Sequence, residues 1–232
     1  MKSPSENLFS RRQLIRGGLT AAAASVLAGT LDVALPTAVQ AQSTLSPSAA
    51  LDELMAGSKR FTSGKMTAYE QDLTILKQHT EEKQEPFAAV LSCADSRVPI
   101  ELIFDQTIGH IFVTRVAGNI ATAELIGSLE YGAAVLGTKA ILVMGHSNCG
   151  AVKATIQGKA VPGQISSLFP YIQAAVDQAG PDLAAATKAN AVNQAKVLRQ
   201  SSTVLSEMVK GGKIKIVGAF YDLGTGVVTI LE

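Results

Sequence analysis

Phe87-Ala88-Ala89-Val90-Leu91-Ser92 runs directly into Cys93-Ala94-Asp95-Ser96-Arg97-Val98-Pro99, and the reading of this chain turns on that junction. An apolar run of this length, opened by Pro86, is too short for a buried helix and lacks the alternation of a half-exposed strand. It reads as a strand covered on both faces. The arrangement recurs downstream: Lys139 to Met144 has a wholly apolar core, and Gly145-His146-Ser147-Asn148-Cys149-Gly150 follows at once. Strands covered on both faces belong to parallel sheets with helices on either side.

Working outward, the pattern alternates between the two periods. Ser48 is expected to cap a helix through Leu51, Leu54, Met55 and Phe61, with Asp52 and Glu53 near its start, where the helix dipole favours acids. A second helical piece is expected over Asp72 to Lys83, then the strand after Pro86, and another strand over Ile108 to Val116. Leu125, Leu129, Ala133 and Leu136 share one face of a helix over Thr122 to Leu136. Helices are expected over Cys149 to Gln157, Gln164 to Gln178 and Asp182 to Val209. Strands over Lys213 to Tyr221 and Gly226 to Leu231 form a closing hairpin. The fold class is therefore α/β: a mostly parallel central sheet flanked by helices, with an N-terminal helical arm.

The first 41 residues read differently. Ser10-Arg11-Arg12-Gln13-Leu14-Ile15 sets paired arginines before a weakly apolar Ala/Gly-rich run, Leu19 to Leu35, and Val39-Gln40-Ala41 offers small residues for signal-peptidase cleavage. This is the pattern of a cleavable twin-arginine signal. Gly17, Gly18, Gly29, Asp32 and Pro36 make a membrane anchor a poor alternative. Residues 42–232 then form a single domain. The expected location is the periplasm, or a thylakoid lumen if the source has one.

A net charge of +1 gives no basic surface for nucleic acid or anionic lipid, and a chain without Trp and with 5% aromatic residues has no stacking platform. Two cysteines in an exported chain ordinarily suggest one disulfide. Folding and metal loading in the cytoplasm before export would leave both as thiolates.

In open parallel sheets, ligands sit beyond the carboxyl ends of the strands. Neighbouring strands would bring the Cys93 and His146 loops together across 53 residues of sequence. Cys93, Asp95, His146 and Cys149 then offer two sulfurs, an imidazole and a carboxylate, a four-coordinate zinc set and a poor one for calcium or magnesium. A Cys93–Cys149 disulfide and a Cys–His nucleophile pair are the alternatives that the residues alone leave open.

These same residues carry a resemblance. Cys-x-Asp-Ser-Arg at 93–97 and His-x-x-Cys-Gly at 146–150 are similar to the paired signatures of the β-class carbonic anhydrases, and the likeness runs from about Leu51 to the C-terminus. Gln84 nine residues before Cys93, Phe112, Ala117-Gly118-Asn119, and Tyr131 fifteen before His146 extend it. His110 and Val116 depart from the usual pattern, away from any ligand position.

The resemblance implies one zinc ion per chain, held by Cys93, His146 and Cys149 with Asp95 as a releasable fourth ligand. It implies reversible hydration of carbon dioxide to bicarbonate by a zinc-acidified water. Asp95 and Arg97 would form a gate: Arg97 draws the carboxylate off the metal, and the freed Asp95 orients the water. Gln84, Phe112, Tyr131 and Gly150 would line the substrate pocket, partly across a subunit boundary, in a homodimer or assembly of dimers. His79 and His110 are candidate proton shuttles, weighed against ordinary surface histidines. Without Trp, the usual inhibitory bicarbonate pocket of some family members cannot be assembled. Rival readings are a hydrolase of carbon disulfide or carbonyl sulfide on the same ligands, and a non-catalytic zinc protein that binds bicarbonate.

Overall fold

The structure, a computed structural model, describes residues 43–70, 77, 80, 81 and 83–232. The stretch read as a signal, most of the helix expected over Asp72 to Lys83, and His79 lie outside the described residues.

Five strands form one sheet: β1 (Ala88–Ser92), β2 (Ile111–Arg115), β3 (Ala140–His146), β4 (Lys215–Tyr221) and β5 (Val228–Ile230). Their order is β2-β1-β3-β4-β5, parallel except for β5. The chain moves from β1 to β2 on one side, then returns to place β3 and β4 on the other. The carboxyl ends of β1 and β3 therefore flank a topological switch point, where such sheets bind ligands.

Strand alternation builds two cores. Ala88 and Val90 of β1, with Ala140, Leu142 and Met144 of β3, face one cluster; Ala89 and Leu91, with Ile141 and Val143, face the other. The first is covered by α1 (Pro47–Thr62) and the short α2 (Ile100–Ile103), through Leu54, Ile103 and Phe104. The second is covered by α3 (Ala123–Ala134), α6 (Leu183–Ser201) and α7 (Thr203–Lys210), through Leu129, Leu198 and Leu205. Between them in sequence come α4 (Gly150–Gln157), a 3₁₀ segment (Gly163–Leu168) and α5 (Phe169–Ala179). Glycines let α6 approach the sheet. A Cβ on Gly145 would stand 3.1 Å from the Thr187 carbonyl, and one on Gly218 3.1 Å from the Val192 Cα.

Several expected boundaries move for local reasons. Helix α1 is capped by Ser46, not Ser48: Ser46 Oγ accepts the Ala49 N–H at 3.1 Å, and Pro47 takes the first turn, where its missing N–H costs nothing. Ser48 instead accepts from Lys215 Nζ at 2.7 Å. Helix α1 lies on its own sheet, with Ala50 and Leu54 buried, rather than standing off as an arm. Strand β2 starts at Ile111 because Gly109, at φ +87°, turns the chain just before it. Pro170 in the first turn of α5 separates that helix from the 3₁₀ segment upstream. The helix expected over Asp182 to Val209 breaks at Ser202, which adopts extended dihedrals and caps α7 by accepting the Leu205 N–H at 2.9 Å. Among the described residues no helix is long and apolar enough to cross a membrane.

Candidate metal centre

β1 and β3 are paired so that Ser92 faces Met144. The chain leaves β1 at Cys93, while β3 continues two residues further to His146, opposite Tyr221 of β4. The Sγ atoms of Cys93 and Cys149 and a ring nitrogen of His146 consequently all lie within 4.8 Å of one another. All three residues are buried, and both cysteines are free. No disulfide joins them.

Each donor is aimed by its backbone. His146 Nδ1 stands 2.9 Å from the Ser147 carbonyl, which can only accept, so the proton belongs on Nδ1 and the lone pair on Nε2. Nε2 is buried without a hydrogen-bond partner. The turn after β3 is pinned to the closing hairpin, with the Ser147 N–H donating to the Tyr221 carbonyl at 2.9 Å and Ser147 Oγ accepting from Leu223 N–H at 2.8 Å. Asn148, at φ +56°, then swings the chain so that Cys149 stands at the N-cap of α4, where the helix dipole favours a thiolate.

The two sulfurs shift each other in opposite directions. Hydrogen bonding from Cys149 pulls the Cys93 thiol well below its ordinary range, against the opposing effect of burial; His146 and the N–H groups of Gly118 and Asp95 help. The Gly118 N–H is 3.4 Å from Cys93 Sγ. Cys149 is pushed up, first by that bond to Cys93 and then by burial. A divalent ion would relieve both problems, because a second thiolate could then form beside the first. Two sulfurs and a buried nitrogen lone pair with nothing else to bind make a soft, closely spaced donor set that fits zinc.

Asp95 is not part of that three-residue cluster. Arg97 holds it from outside: Nε donates to Oδ1 at 2.9 Å, Nη2 to Oδ2 at 2.8 Å, and the Arg97 backbone N–H to Oδ1 at 2.9 Å. These bonds hold the carboxyl far below the usual carboxylate range, with burial opposing and His146 adding a smaller effect. Oδ2 still lies 3.8 Å from His146 Nε2, so the carboxylate stands beside the cluster while facing its guanidinium. Of the two arrangements of this pair considered from sequence, the structure has the one in which Arg97 grips Asp95.

Sequence reasoning missed Arg115. It ends β2 level with Ser92, and its Nε donates to the Cys93 carbonyl at 3.0 Å while Nη2 donates to the Asp95 carbonyl. It thereby ties two carbonyls of the ligand loop to the end of β2. The available signal was a cation at the end of an otherwise apolar strand, level with that loop.

The carbonic anhydrase family model matches residues 88–228, a span that contains the whole cluster and both signature loops. Carbonic anhydrase 2 of Mycobacterium tuberculosis is 32% identical over 195 residues, covering 78% of this chain and 91% of the relative. The chain belongs to the β-class carbonic anhydrase family. Among solved structures, the β-carbonic anhydrase CcaA superposes with TM-score 0.64 at 25% identity, over 78% of this chain and 87% of that one. Tetrameric β-carbonic anhydrases of Sordaria macrospora share the fold, with TM-score 0.65 at 20% identity over 78% and 96%.

The residues expected to line the pocket are spread along the sheet. Phe112 pairs with Ala89, four residues before Cys93, so its backbone lies roughly 13 Å back along the sheet. Its ring packs on Tyr131, centroids 6.3 Å apart, and Tyr131 is 47% exposed. Gln84 is exposed in the segment leading to β1. Only Gly150, the first residue of α4, stands beside a metal-binding residue. His110 is exposed just before β2, at the opposite end of the sheet from the cluster, with its ring 6.5 Å from that of Phe87.

Proposed function

We infer that this protein is a zinc-dependent carbonic anhydrase, interconverting carbon dioxide and bicarbonate. The observation that carries the reading is the convergence of Cys93, His146 and Cys149 beside an Asp95 that Arg97 holds aside. Cys93 and Cys149 through sulfur, and His146 through Nε2, would hold the ion. When bound, zinc supplies the acidity that makes water a nucleophile near neutral pH.

The chain's own residues do the rest. Asp95, ionised and fixed by two guanidinium bonds, accepts a hydrogen bond from the attacking water and directs its lone pair at the substrate carbon. Arg97 keeps the carboxylate from closing onto the cluster. Arg115 braces the loop that carries Cys93 and Asp95. Stopped-flow hydration of carbon dioxide, on protein of measured zinc content, tests the reading: turnover should scale with zinc. Zinc-loaded protein that leaves the uncatalysed rate unchanged would overturn it, and turnover confined to carbon disulfide or carbonyl sulfide would move the chain to that rival activity.

We also propose a homodimer or an assembly of dimers. The separation of Gln84, Phe112 and Tyr131 from their own chain's cluster supports it, since a second copy could present them to that cluster. Edge strand β2 and the exposed Ile108 and Tyr131 offer an apolar face for such a contact. Tyr131→Arg should yield monomers in sedimentation and abolish turnover; fully active monomers would refute the shared pocket. Export by the twin-arginine route to the periplasm is proposed from residues 1–41 alone. Cell fractionation with Arg11→Lys/Arg12→Lys, expected to retain the precursor in the cytoplasm, tests it.

A further inference from the structure

A second set of buried polar groups lies behind the metal cluster and has no part in the chemistry above. Asn190 and Gln194 sit one turn apart on α6, at 0% and 3% exposure, an expensive place for two amides unless every polar atom is paired. Their bonds form a one-way chain. The Ala121 N–H donates to Gln194 Oε1 at 2.9 Å, which fixes which end of that amide is oxygen. Gln194 Nε2 must then face the Tyr171 carbonyl, at 2.8 Å, and Asn190 Oδ1, at 3.3 Å. Asn190 Nδ2 is left to donate to the Gly118 carbonyl at 2.8 Å. The chain ends at Gly118, whose N–H points at Cys93 Sγ.

Gly118 needs such a hold. At φ +79° it has a backbone that only glycine adopts freely, and unfixed it could turn its N–H elsewhere. Its Cα side is already closed: a Cβ there would meet Ala151 at 3.3 Å and Ile172 at 2.7 Å. Packing therefore blocks one side and Asn190 anchors the other. An N–H bond to a metal-bound thiolate withdraws electron density from sulfur, which weakens its donation and leaves the metal a stronger acid.

We propose that Asn190 and Gln194 are positioning residues for the Cys93 sulfur, holding the Gly118 peptide so that its N–H tunes that thiolate as a zinc ligand. The inference rests on the zinc reading of the cluster, and its test separates the two. Asn190→Leu keeps the branched shape of the side chain and removes the donor; Gln194→Met leaves Asn190 in place and removes the group that orients it. Ser202→Ala, remote from the cluster, serves as a control for general loss of stability.

Zinc affinity is measured by chelator competition, and cobalt-substituted protein reports the thiolate-to-cobalt charge-transfer band. Both variants should bind zinc roughly 10- to 100-fold more weakly, because losing the peptide that places the Cys93 sulfur outweighs the stronger donation of an unbonded thiolate. Their charge-transfer band should move to longer wavelength, as a more electron-rich thiolate requires, while Ser202→Ala leaves the band in place. If Asn190→Leu does not fold, Gln194→Met carries the test. Wild-type affinity and an unshifted band in a folded variant would overturn the inference, as would an equal shift in Ser202→Ala. Failure of the wild type to bind either metal would overturn the zinc reading itself.

Discussion

Arg97 and Asp95 meet as a fork on a fork: Nε lies 2.9 Å from Oδ1 and Nη2 lies 2.8 Å from Oδ2, with Nη2 also 3.4 Å from the Asn148 carbonyl. Two parallel charge-assisted bonds fix the plane of the carboxylate as well as its position, which a lysine could not do. The guanidinium also spans from the Cys93 loop to the turn before Cys149, so it joins the two loops that supply the metal donors.

Removing that fork should close the site. In Arg97→Ala the Asp95 carboxylate, 3.8 Å from His146 Nε2, is free to turn onto the ion. Hydration should fall by roughly 100-fold or more, a loss of the size expected when a positioned proton acceptor is withdrawn. Zinc content should remain at one per chain. Arg97→Lys should recover little, because a point charge does not hold the carboxylate plane. Stopped-flow rates with metal analysis check this, and wild-type turnover in Arg97→Ala would refute the gate.

Stripping the metal should abolish turnover and leave both cysteines reduced. Thiol titration of the chelated protein in denaturant should count two thiols per chain, since the sequence has two cysteines and both are free. Returning zinc should restore hydration. A count of zero would mean that the sulfurs are joined to each other, and no metal could then use them.

Much of this centre was legible in the sequence because its parts are short and local. An apolar strand followed at once by Cys93-x-Asp95, and another followed by His146-x-x-Cys149, fixes which loops carry donors once parallel pairing is granted. The supporting groups were not legible. Arg115 acts through strand register, and Asn190 and Gln194 through the packing of α6, more than 40 residues beyond Cys149, onto the Gly118 loop. The break at Ser202 was hidden for a different reason: the apolar period runs through it, and only the serine's bond to the Leu205 N–H ends one helix and starts the next. Phe112 and Tyr131 were read as pocket residues through resemblance, and strand register sets the Phe112 backbone back along the sheet from its own chain's cluster.

Arg115 should prove as necessary as the side chains whose loop it braces. Arg115→Met keeps the aliphatic stem and deletes both donors, leaving the Cys93 and Asp95 carbonyls without them. Charge-assisted bonds of this kind contribute roughly 1.5–3 kcal/mol. Denaturant unfolding of the zinc-loaded protein should show a loss in that range, with weakened zinc binding. A stability loss without any change in zinc affinity would confine Arg115 to the fold.

Acid stability should depend on a carboxylate far from the metal. Asp105 has a fully buried side chain, yet it accepts from Arg60 Nε at 2.6 Å, from Ala68 N–H at 2.9 Å, and from the backbone and hydroxyl of Thr67. Burial pushes its pKa up, but these donors outweigh burial and the net shift is downward. A carboxylate depressed in the folded state contributes stability that is fully present above its unfolded value, about 3.9, and lost as pH falls through the folded one. Wild-type stability should therefore drop between about pH 5 and the folded value, where the unfolded chain takes up a proton that the folded one resists. Asp105→Asn keeps the shape but leaves Arg60, which is partly exposed and keeps Glu53 at 3.4 Å, without its main partner, and should cost roughly 1–3 kcal/mol at neutral pH. The diagnostic is the difference between the two proteins: it should shrink as pH falls, because acid neutralises Asp105 in the wild type and has nothing to neutralise in the variant. Urea unfolding at several pH values measures it. A difference that stays constant from pH 7 to 3 would show that Asp105 stabilises the fold by shape alone.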